Sequence, residues 1–104
     1  MQPTVGPLSA DHKAPGGKLL RVRLTVSRHT TPPVITSFRL TGDFFMHPED
    51  ALLDLEDDLV GAPLEAIALR ERVQAFFDTD VQVIGAAVDD IVHVILAAEV
   101  AGDQ

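Results

Sequence analysis

The chain has 104 residues, a hydrophobic fraction of 46% and a net charge of −8, and it contains no cysteine. A chain of this size and composition folds as one globular domain with a modest core. The lack of cysteine excludes disulfides, thiolate metal sites and cysteine nucleophiles. No segment reaches the ~20 apolar residues of a membrane span, and the first ten residues do not have the pattern of a secretory leader. We therefore expect a cytoplasmic protein.

The charge is distributed unevenly along the chain. Six basic residues and one acid through Gly42 give +5, whereas fifteen acids and two arginines from Asp43 onward give −13. The acidic part would repel phosphate, and no aromatic residue is interleaved with the bases, which argues against nucleic-acid binding. Two interpretations stay open. The charges either form solvated faces that keep the protein soluble, or they include a basic sheet surface for an acidic partner or ligand.

The first ten residues contain two prolines, one glycine and no periodicity. We therefore predict a flexible tail over residues 1–12 and a single domain over residues 13–104. A turn at Pro15-Gly16-Gly17 then leads into the first regular element.

Two runs of alternating apolar and polar residues predict an antiparallel hairpin. The "RHTTPP" segment between them is a turn, because proline lacks the N–H that a strand ladder needs. The outer face of the hairpin would carry Arg21, Arg23 and Arg39. The residues predicted to face the core are Leu20, Val22, Leu24 and Val26 in the first strand and Val34, Thr36, Phe38 and Leu40 in the second.

The period becomes helical after the hairpin. Pro48 suits the first position of a helix, and Gly61 suits its C-terminal end. A second helix is predicted from near Pro63 to just before Asp78. Residues 81–84 are either a third strand or an extended connection, and a helix is favoured over a strand from Asp89 onward. The predicted fold is α+β, an antiparallel β-hairpin or three-stranded sheet packed against about three helices.

The Gly16-Gly17-Lys18 sequence resembles part of a phosphate-binding loop. A P-loop needs Gly-Lys-Ser/Thr between a strand and a helix, so that backbone N–H groups converge on the phosphate. Here Lys18 is followed by Leu19 and a strand, so an ordinary tight turn is the favoured interpretation. That interpretation leaves the lysines on both sides of the turn, Lys13 and Lys18, unexplained.

Other catalytic and metal-binding patterns are missing from the sequence. The four histidines are scattered, and no HExxH pattern is present, so we expect no metal site. We interpret His47 as a neighbour of the N-terminal cap of the first helix, and His93 as a partly buried helix residue. The Asp57-Asp58 and Asp89-Asp90 pairs lie on predicted solvated faces, which lack the desolvation that general acid catalysis requires. We therefore expect no catalysis by the chain alone.

The segment "TGDFFMHPED" over residues 41–50 places two phenylalanines side by side at the exit of a strand. Phe44 and Phe45 cannot both point the same way, so if one enters the core the other tends outward. Either both are buried under the loop, or the outer one is an exposed anchor for another protein. Aromatic anchors of this kind carry much of the binding energy in protein interfaces.

Three segments together resemble a known family: "KAPGGKLLRV" at 13–22, "LTGDFFMHPE" at 40–49 and "LEDDLVG" at 55–61. They resemble the accessory domain of lipoate-protein ligases, and most of all the separate small subunit of bipartite ligases. The similarity covers residues 13 to about 77 and the rest of the chain weakly. Because the chain begins at Met1 with a short tail, it resembles the free-standing form of the domain.

The resemblance implies a non-catalytic subunit of an ATP-dependent, acyl-adenylate-forming ligase. In such ligases a larger subunit binds lipoate, ATP and Mg, makes lipoyl-adenylate and transfers the lipoyl group to a lysine of a carrier domain. The accessory domain is needed mainly for adenylation, so the implied assembly is a heterodimer, and no cofactor is expected on this chain alone. The residues that match the family motifs, as a site supporting the partner or adenylation, are Lys13, Gly16, Gly17, Lys18, Gly42, Asp43, Phe44, Phe45 and His47.

Two alternatives come from other classes of protein. The chain could be an interaction module for a different enzyme. It could also be related to sulfur-transfer or iron–sulfur assembly proteins, whose fold resembles the accessory domain. The second alternative is less favoured because those proteins work through cysteine, which this chain lacks.

Overall fold

The structure is a computed structural model that describes residues 7–16 and 18–102. The elements in chain order are β1 (Leu8–Lys13), β2 (Leu19–Ser27), β3 (Val34–Gly42), β4 (Phe45–His47), α1 (Ala51–Leu59), α2 (Ala66–Phe77), β5 (Gln82–Ile84) and α3 (Val88–Gly102). Antiparallel sheets and helices are combined, which confirms the predicted α+β class. No helix of the described ranges is long and apolar enough to cross a bilayer.

Strands β1, β2 and β3 form one antiparallel sheet with β2 in the centre. The alternation of β2 gives the strand one buried and one exposed face, because Leu20 and Val22 are fully buried while Arg21 and Arg23 are exposed. Helices α1 and α3 pack against this sheet, and α2 packs against both of those helices. The apolar side of the sheet and the helices together enclose the core, and the side with the arginines faces solvent.

Strand β1 corrects the prediction of a flexible tail over residues 1–12. Residues 8–12 pair with β2, with Leu8 opposite Leu24 and Ala10 opposite Val22. The period-2 signal was hidden because only one of the three inward positions, Leu8, holds a large apolar residue. Ala10 is small and His12 is polar, so the alternation is weak in sequence. Residues 1–6 lie outside the described part of the chain.

His12 fastens the edge strand β1 to helix α3. Its Nε2 atom lies 3.0 Å from Oδ1 of Asp90, and its ring centroid lies 4.5 Å from that of His93. The Oδ2 atom of Asp90 accepts a hydrogen bond of 3.0 Å from the N–H of Ala87 at the start of the helix. His93 is exposed rather than partly buried as predicted, although its ring lies beside that of His12.

We expect His12→Ala to lower the free energy of unfolding by about 1–2 kcal/mol, because it removes a part-buried hydrogen bond to a charged group. The matched control is His29→Ala in the exposed β2–β3 turn, which should change stability by less than about 0.5 kcal/mol. Urea unfolding of both variants measures the difference. Equal stabilities for the two variants would contradict a fastening role for His12.

The first half of β3 departs from the predicted alternation, in which Val34 and Thr36 face the core. Ile35 is buried instead. Thr25 lies opposite Ser37, while the next pair in the register skips Thr36, so Thr36 is an extra residue in β3. A bulge of this kind changes which residues face the core, and strict alternation cannot predict it.

Helix α1 begins at Ala51, three residues after the predicted start at Pro48. The reason is that residues 45–47 form β4, so Pro48 to Asp50 serve as the turn between strand and helix. The carbonyl of Pro48 accepts a hydrogen bond of 3.0 Å from the N–H of Ala51. His47 therefore lies in β4 and not beside the helix cap, which corrects its predicted place.

Residues 82–84 form a strand, but not as an extension of the hairpin sheet. β5 pairs with β4 in a separate two-stranded sheet, and the third strand of the larger sheet is β1. Helix α2 begins at Ala66, three residues after the predicted start near Pro63, because Glu65 is its N-terminal cap. Its end at Phe77, just before Asp78, agrees with the prediction, and residues from Asp89 onward are helical with Ile91 and Ile95 buried.

Candidate functional site

The two sequence motifs meet at Leu19, the first residue of β2. The N–H of Asp43 donates a hydrogen bond of 2.8 Å to the carbonyl oxygen of Leu19. In return, the N–H of Leu19 lies 3.4 Å from Oδ2 of Asp43. The turn that follows β1 and the segment that follows β3 are therefore joined through their backbones, although 24 residues separate the two partners in sequence.

Gly42 permits this close approach. Its φ angle is +145°, and a Cβ atom added there would lie 2.2 Å from the carbonyl oxygen of Leu19 and 3.0 Å from the Cα of Leu20. No other residue has room for its side chain at that position. The glycine that precedes Asp43 is therefore required by the contact between the two motifs.

The segment with the two lysines is a hairpin turn between β1 and β2. The N–H of Ala14 donates a hydrogen bond of 2.7 Å to the carbonyl of Lys18, and Gly16 has a φ of +88° in open space. Gly17 lies outside the described residues. Because a strand and not a helix follows, the structure confirms the tight-turn interpretation over a P-loop.

Lys13 and Lys18 are exposed at the two ends of this turn. Lys13 is the last residue of β1 and lies opposite Leu19, so the lysines are close to the point where the motifs meet. Within the described residues neither ammonium group forms an ion pair. Their charges are therefore available to a partner.

Phe44 and Phe45 point in different directions, as the sequence predicts. Phe44 is partly buried and packs against the hydrophobic core, whereas Phe45 is 75% exposed. Phe45 lies directly opposite Ile84 in the β4–β5 pair, and Ile84 is 58% exposed. Opposed residues of a strand pair share one face. We call this exposed apolar pair the Phe45–Ile84 patch.

Ile84 belongs to the candidate site but was not predicted from the sequence. Residues 81–83 alternate, but the sequence does not show which strand residues 82–84 pair with. β4 has only three residues, which is too short for periodicity to reveal it. The available signal was that Ile84 is apolar where the alternation of residues 81–83 calls for a polar residue, and its pairing with Phe45 explains why.

Two shallow depressions share Phe45 as part of their walls. The first, of about 340 Å³, is lined by residues of both motifs: Lys18, Gly42, Asp43, Phe44 and Phe45. The second, of about 360 Å³, includes Met46, Glu49 and Leu52 beside the two phenylalanines. The structure thus brings Lys18 and Phe45 together on one surface.

His47 lies apart from these two depressions. It is exposed and lies opposite Gln82 in the β4–β5 sheet, and it lines neither depression. Across the described ranges, no group of three His, Cys, Asp or Glu side chains is arranged to hold a metal ion.

Comparisons with known proteins find similar solved structures. No family model matches the sequence, and no curated protein matches it. A similar solved chain comes from a structural analysis of an archaeal lipoylation system, a bi-partite lipoate protein ligase and its E2 lipoyl domain from Thermoplasma acidophilum. It is 30% identical, with a TM-score of 0.71, over 86% of this chain and 93% of that chain. The chain belongs to the family of this lipoylation-system protein. The match spans most of both chains, so the similarity covers the whole domain and not one motif.

Proposed function

We propose that the chain is the non-catalytic small subunit of a bipartite lipoate-protein ligase. It binds a larger catalytic subunit and supports the ATP-dependent formation of lipoyl-adenylate, which precedes transfer of the lipoyl group to a carrier-domain lysine. Lipoate, ATP and Mg are bound by the larger subunit. The observation that carries the proposal is that Lys18 and the exposed Phe45, from the two motifs resembling the accessory domain, line one depression.

In this role the Phe45–Ile84 patch is the docking point for the catalytic subunit. An exposed aromatic side chain gains from burial in a partner pocket, and binding energy concentrates on such residues. The patch is held in place from behind, because Met46, the residue between Phe45 and His47, is buried in the core. The partner therefore binds a surface that is already ordered, so binding does not carry the free-energy cost of ordering it.

The lysines of the turn supply positive charge beside the docking point. During adenylation the carboxylate oxygen of lipoate attacks the α-phosphorus of ATP, and pyrophosphate leaves with added negative charge. Cations placed where this charge develops stabilise the transition state more than the ground state. The proposed role of Lys13 and Lys18 is therefore to position and stabilise, while the bond-making groups belong to the catalytic subunit.

The Lys13→Ala, Lys18→Ala double variant tests this role in the reconstituted pair. We expect lipoyl-adenylate formation to fall about tenfold, which is ~1.4 kcal/mol in the barrier. Transfer from preformed lipoyl-adenylate should stay within about twofold, because no charge of ATP is involved in that step. Both lysines are changed together because two cations on one turn can substitute for each other.

The two half-reactions are assayed at saturating partner, and the Lys13→Arg, Lys18→Arg variant is the matched control that keeps the charges. Equal losses in both half-reactions would indicate an effect on assembly or folding. Full activity of the alanine variant in both would show that the segment is a turn without a role in adenylation.

A second candidate function is the lipoyl carrier domain itself. The exposure of Lys13 and Lys18 at a hairpin turn favours it, because an acceptor lysine must be reachable by a ligase. Intact mass spectrometry after incubation with a catalytic ligase subunit, lipoate and ATP separates the two candidates. We expect no lipoyl group on this chain. A mass gain that is lost on replacing the acceptor lysine with arginine would assign the chain as the carrier.

A further inference from the structure

The outer face of the three-stranded sheet is basic, although the chain as a whole is acidic. Arg21, Arg23 and Arg39 are exposed on it, and Lys13 lies at its end. Among the described strand residues Asp11 is the one acid on this face, so four bases against one acid give it +3, compared with −8 for the full chain. We call this surface the basic sheet face. The docking and adenylation roles proposed above leave its arginines without a function.

Two of its arginines lie side by side without a counter-ion. Arg23 and Arg39 are directly opposed in the β2–β3 register, and like charges in that position destabilise a strand pair. Within the described residues neither forms an ion pair. Asp11 is taken by Arg21, whose Nε and Nη2 atoms donate to its two oxygens at 2.8 and 3.3 Å. That hydrogen bond holds the pKa of the Asp11 carboxyl below its usual value of 3.8.

Shallow depressions on both sides of Arg23 give access to these groups. One, of about 370 Å³, is also bordered by Ser37 and Arg39. The other, of about 400 Å³, is bordered by Ser9 and Arg21. A guanidinium group pairs with a carboxylate through two parallel hydrogen bonds. The face is therefore suited to a partner surface that carries carboxylates.

We propose that the basic sheet face binds an acidic surface of the carrier domain that receives the lipoyl group. The inference rests on the proposed function. A catalytic subunit that stays bound suits the apolar Phe45–Ile84 patch, whereas a carrier must leave after modification, and a charged contact gives rapid and reversible association. The acidic remainder of the chain repels such a carrier elsewhere and directs it to this face.

The test is transfer of the lipoyl group from preformed lipoyl-adenylate to an apo lipoyl domain by the reconstituted two-subunit ligase. For the Arg23→Gln, Arg39→Gln variant we expect the KM for the lipoyl domain to rise about tenfold, with kcat within about twofold. The wild-type KM should also rise with NaCl between about 50 and 300 mM, and less so in the variant. The Arg23→Lys, Arg39→Lys variant keeps both charges and should lie between the two.

A matched control removes two positive charges elsewhere. Arg70→Gln, Arg72→Gln acts on exposed residues of α2 and should leave the KM for the lipoyl domain within about twofold. Lipoyl-adenylate formation is measured with every variant. If the wild-type chain does not stimulate it, the proposed function fails. If stimulation is intact but the Arg23, Arg39 variant keeps the wild-type KM, the inference about this face fails by itself.

Three alternative ligands of the basic sheet face would each give a different experimental result. NMR shifts at Arg23 and Arg39 on adding sodium tripolyphosphate, but not on adding the apo lipoyl domain, would assign the face to phosphate. Loss of subunit assembly in the glutamine variant would assign it to the catalytic subunit. Self-association of the wild-type chain that the variant abolishes would assign it to a second copy. Each of these results would contradict binding of the carrier.

Discussion

Replacing Phe45 with alanine should weaken the complex between this chain and its catalytic subunit by about 2 kcal/mol or more, roughly 30-fold in Kd. The residue is 75% exposed in the isolated chain, so the change removes contact area for the partner without opening a cavity in the core. The free energy of unfolding should stay within about 0.5 kcal/mol of the original value. Isothermal titration calorimetry measures the first quantity and urea unfolding the second.

Two further variants make this prediction specific. Ile84→Ala removes the other member of the Phe45–Ile84 patch and should weaken binding by a smaller amount, about 1 kcal/mol. Ile67→Ala is the matched control, because Ile67 is also apolar and is 66% exposed, but lies at the start of α2. Its effect on binding should be within the error of the measurement. Equal Kd values for Phe45→Ala and Ile67→Ala would show that the patch does not dock the partner.

Replacing Gly42 with alanine should lower the free energy of unfolding by about 3 kcal/mol or more. The new Cβ would lie 2.2 Å from the carbonyl oxygen of Leu19 at a φ of +145°, so the backbone must shift in addition to the strain of the angle itself. The shift separates Leu19 from Asp43 and breaks the junction of the two motifs. Urea unfolding followed by circular dichroism measures the loss.

Gly16→Ala provides the comparison for Gly42→Ala. Gly16 also has a positive φ, +88°, but no atom lies within 4 Å of an added Cβ. The change should therefore cost about 1 kcal/mol, from the backbone angle alone. A loss of stability in Gly42→Ala no larger than in Gly16→Ala would contradict the close contact of the two motifs.

The parts of the fold predicted from sequence are those with strong local patterns. β2 alternates over its whole length and has an unambiguous buried face. The end of α2 has Val73 and Phe76 at helical spacing before Asp78, and the start of α3 has Asp89 and Asp90 ahead of Ile91 and Ile95. β1 was not predicted because Ala10 and His12 occupy its inward positions, which weakens the alternation. The partner of His12, Asp90, is also 78 residues away in sequence. The β3 bulge was not predicted because one extra residue changes which side chains of a regular alternating pattern face the core.

The features of the candidate site also separate into those that local sequence patterns predict and those that depend on contacts between distant segments. The lysine turn and the Phe44-Phe45 pair are local motifs, so the different directions of the two phenylalanines could be predicted, whereas the exposure of Phe45 was one of two open alternatives. Their junction at Leu19 depends on a backbone contact between distant segments, which no spacing reveals. The position of Ile84 beside Phe45 depends on the pairing of two three-residue strands. The position of Arg23 opposite Arg39 depends on the β2–β3 register.

The most direct measurement is the rate of lipoyl-adenylate formation by a catalytic ligase subunit as this chain is added at increasing concentration. We predict a saturable rise in rate, with a half-maximal concentration equal to the Kd of the two chains measured by calorimetry. The mass of this chain should stay unchanged throughout the reaction. A rate that does not depend on this chain, or lipoylation of the chain itself, would contradict its role as the accessory subunit.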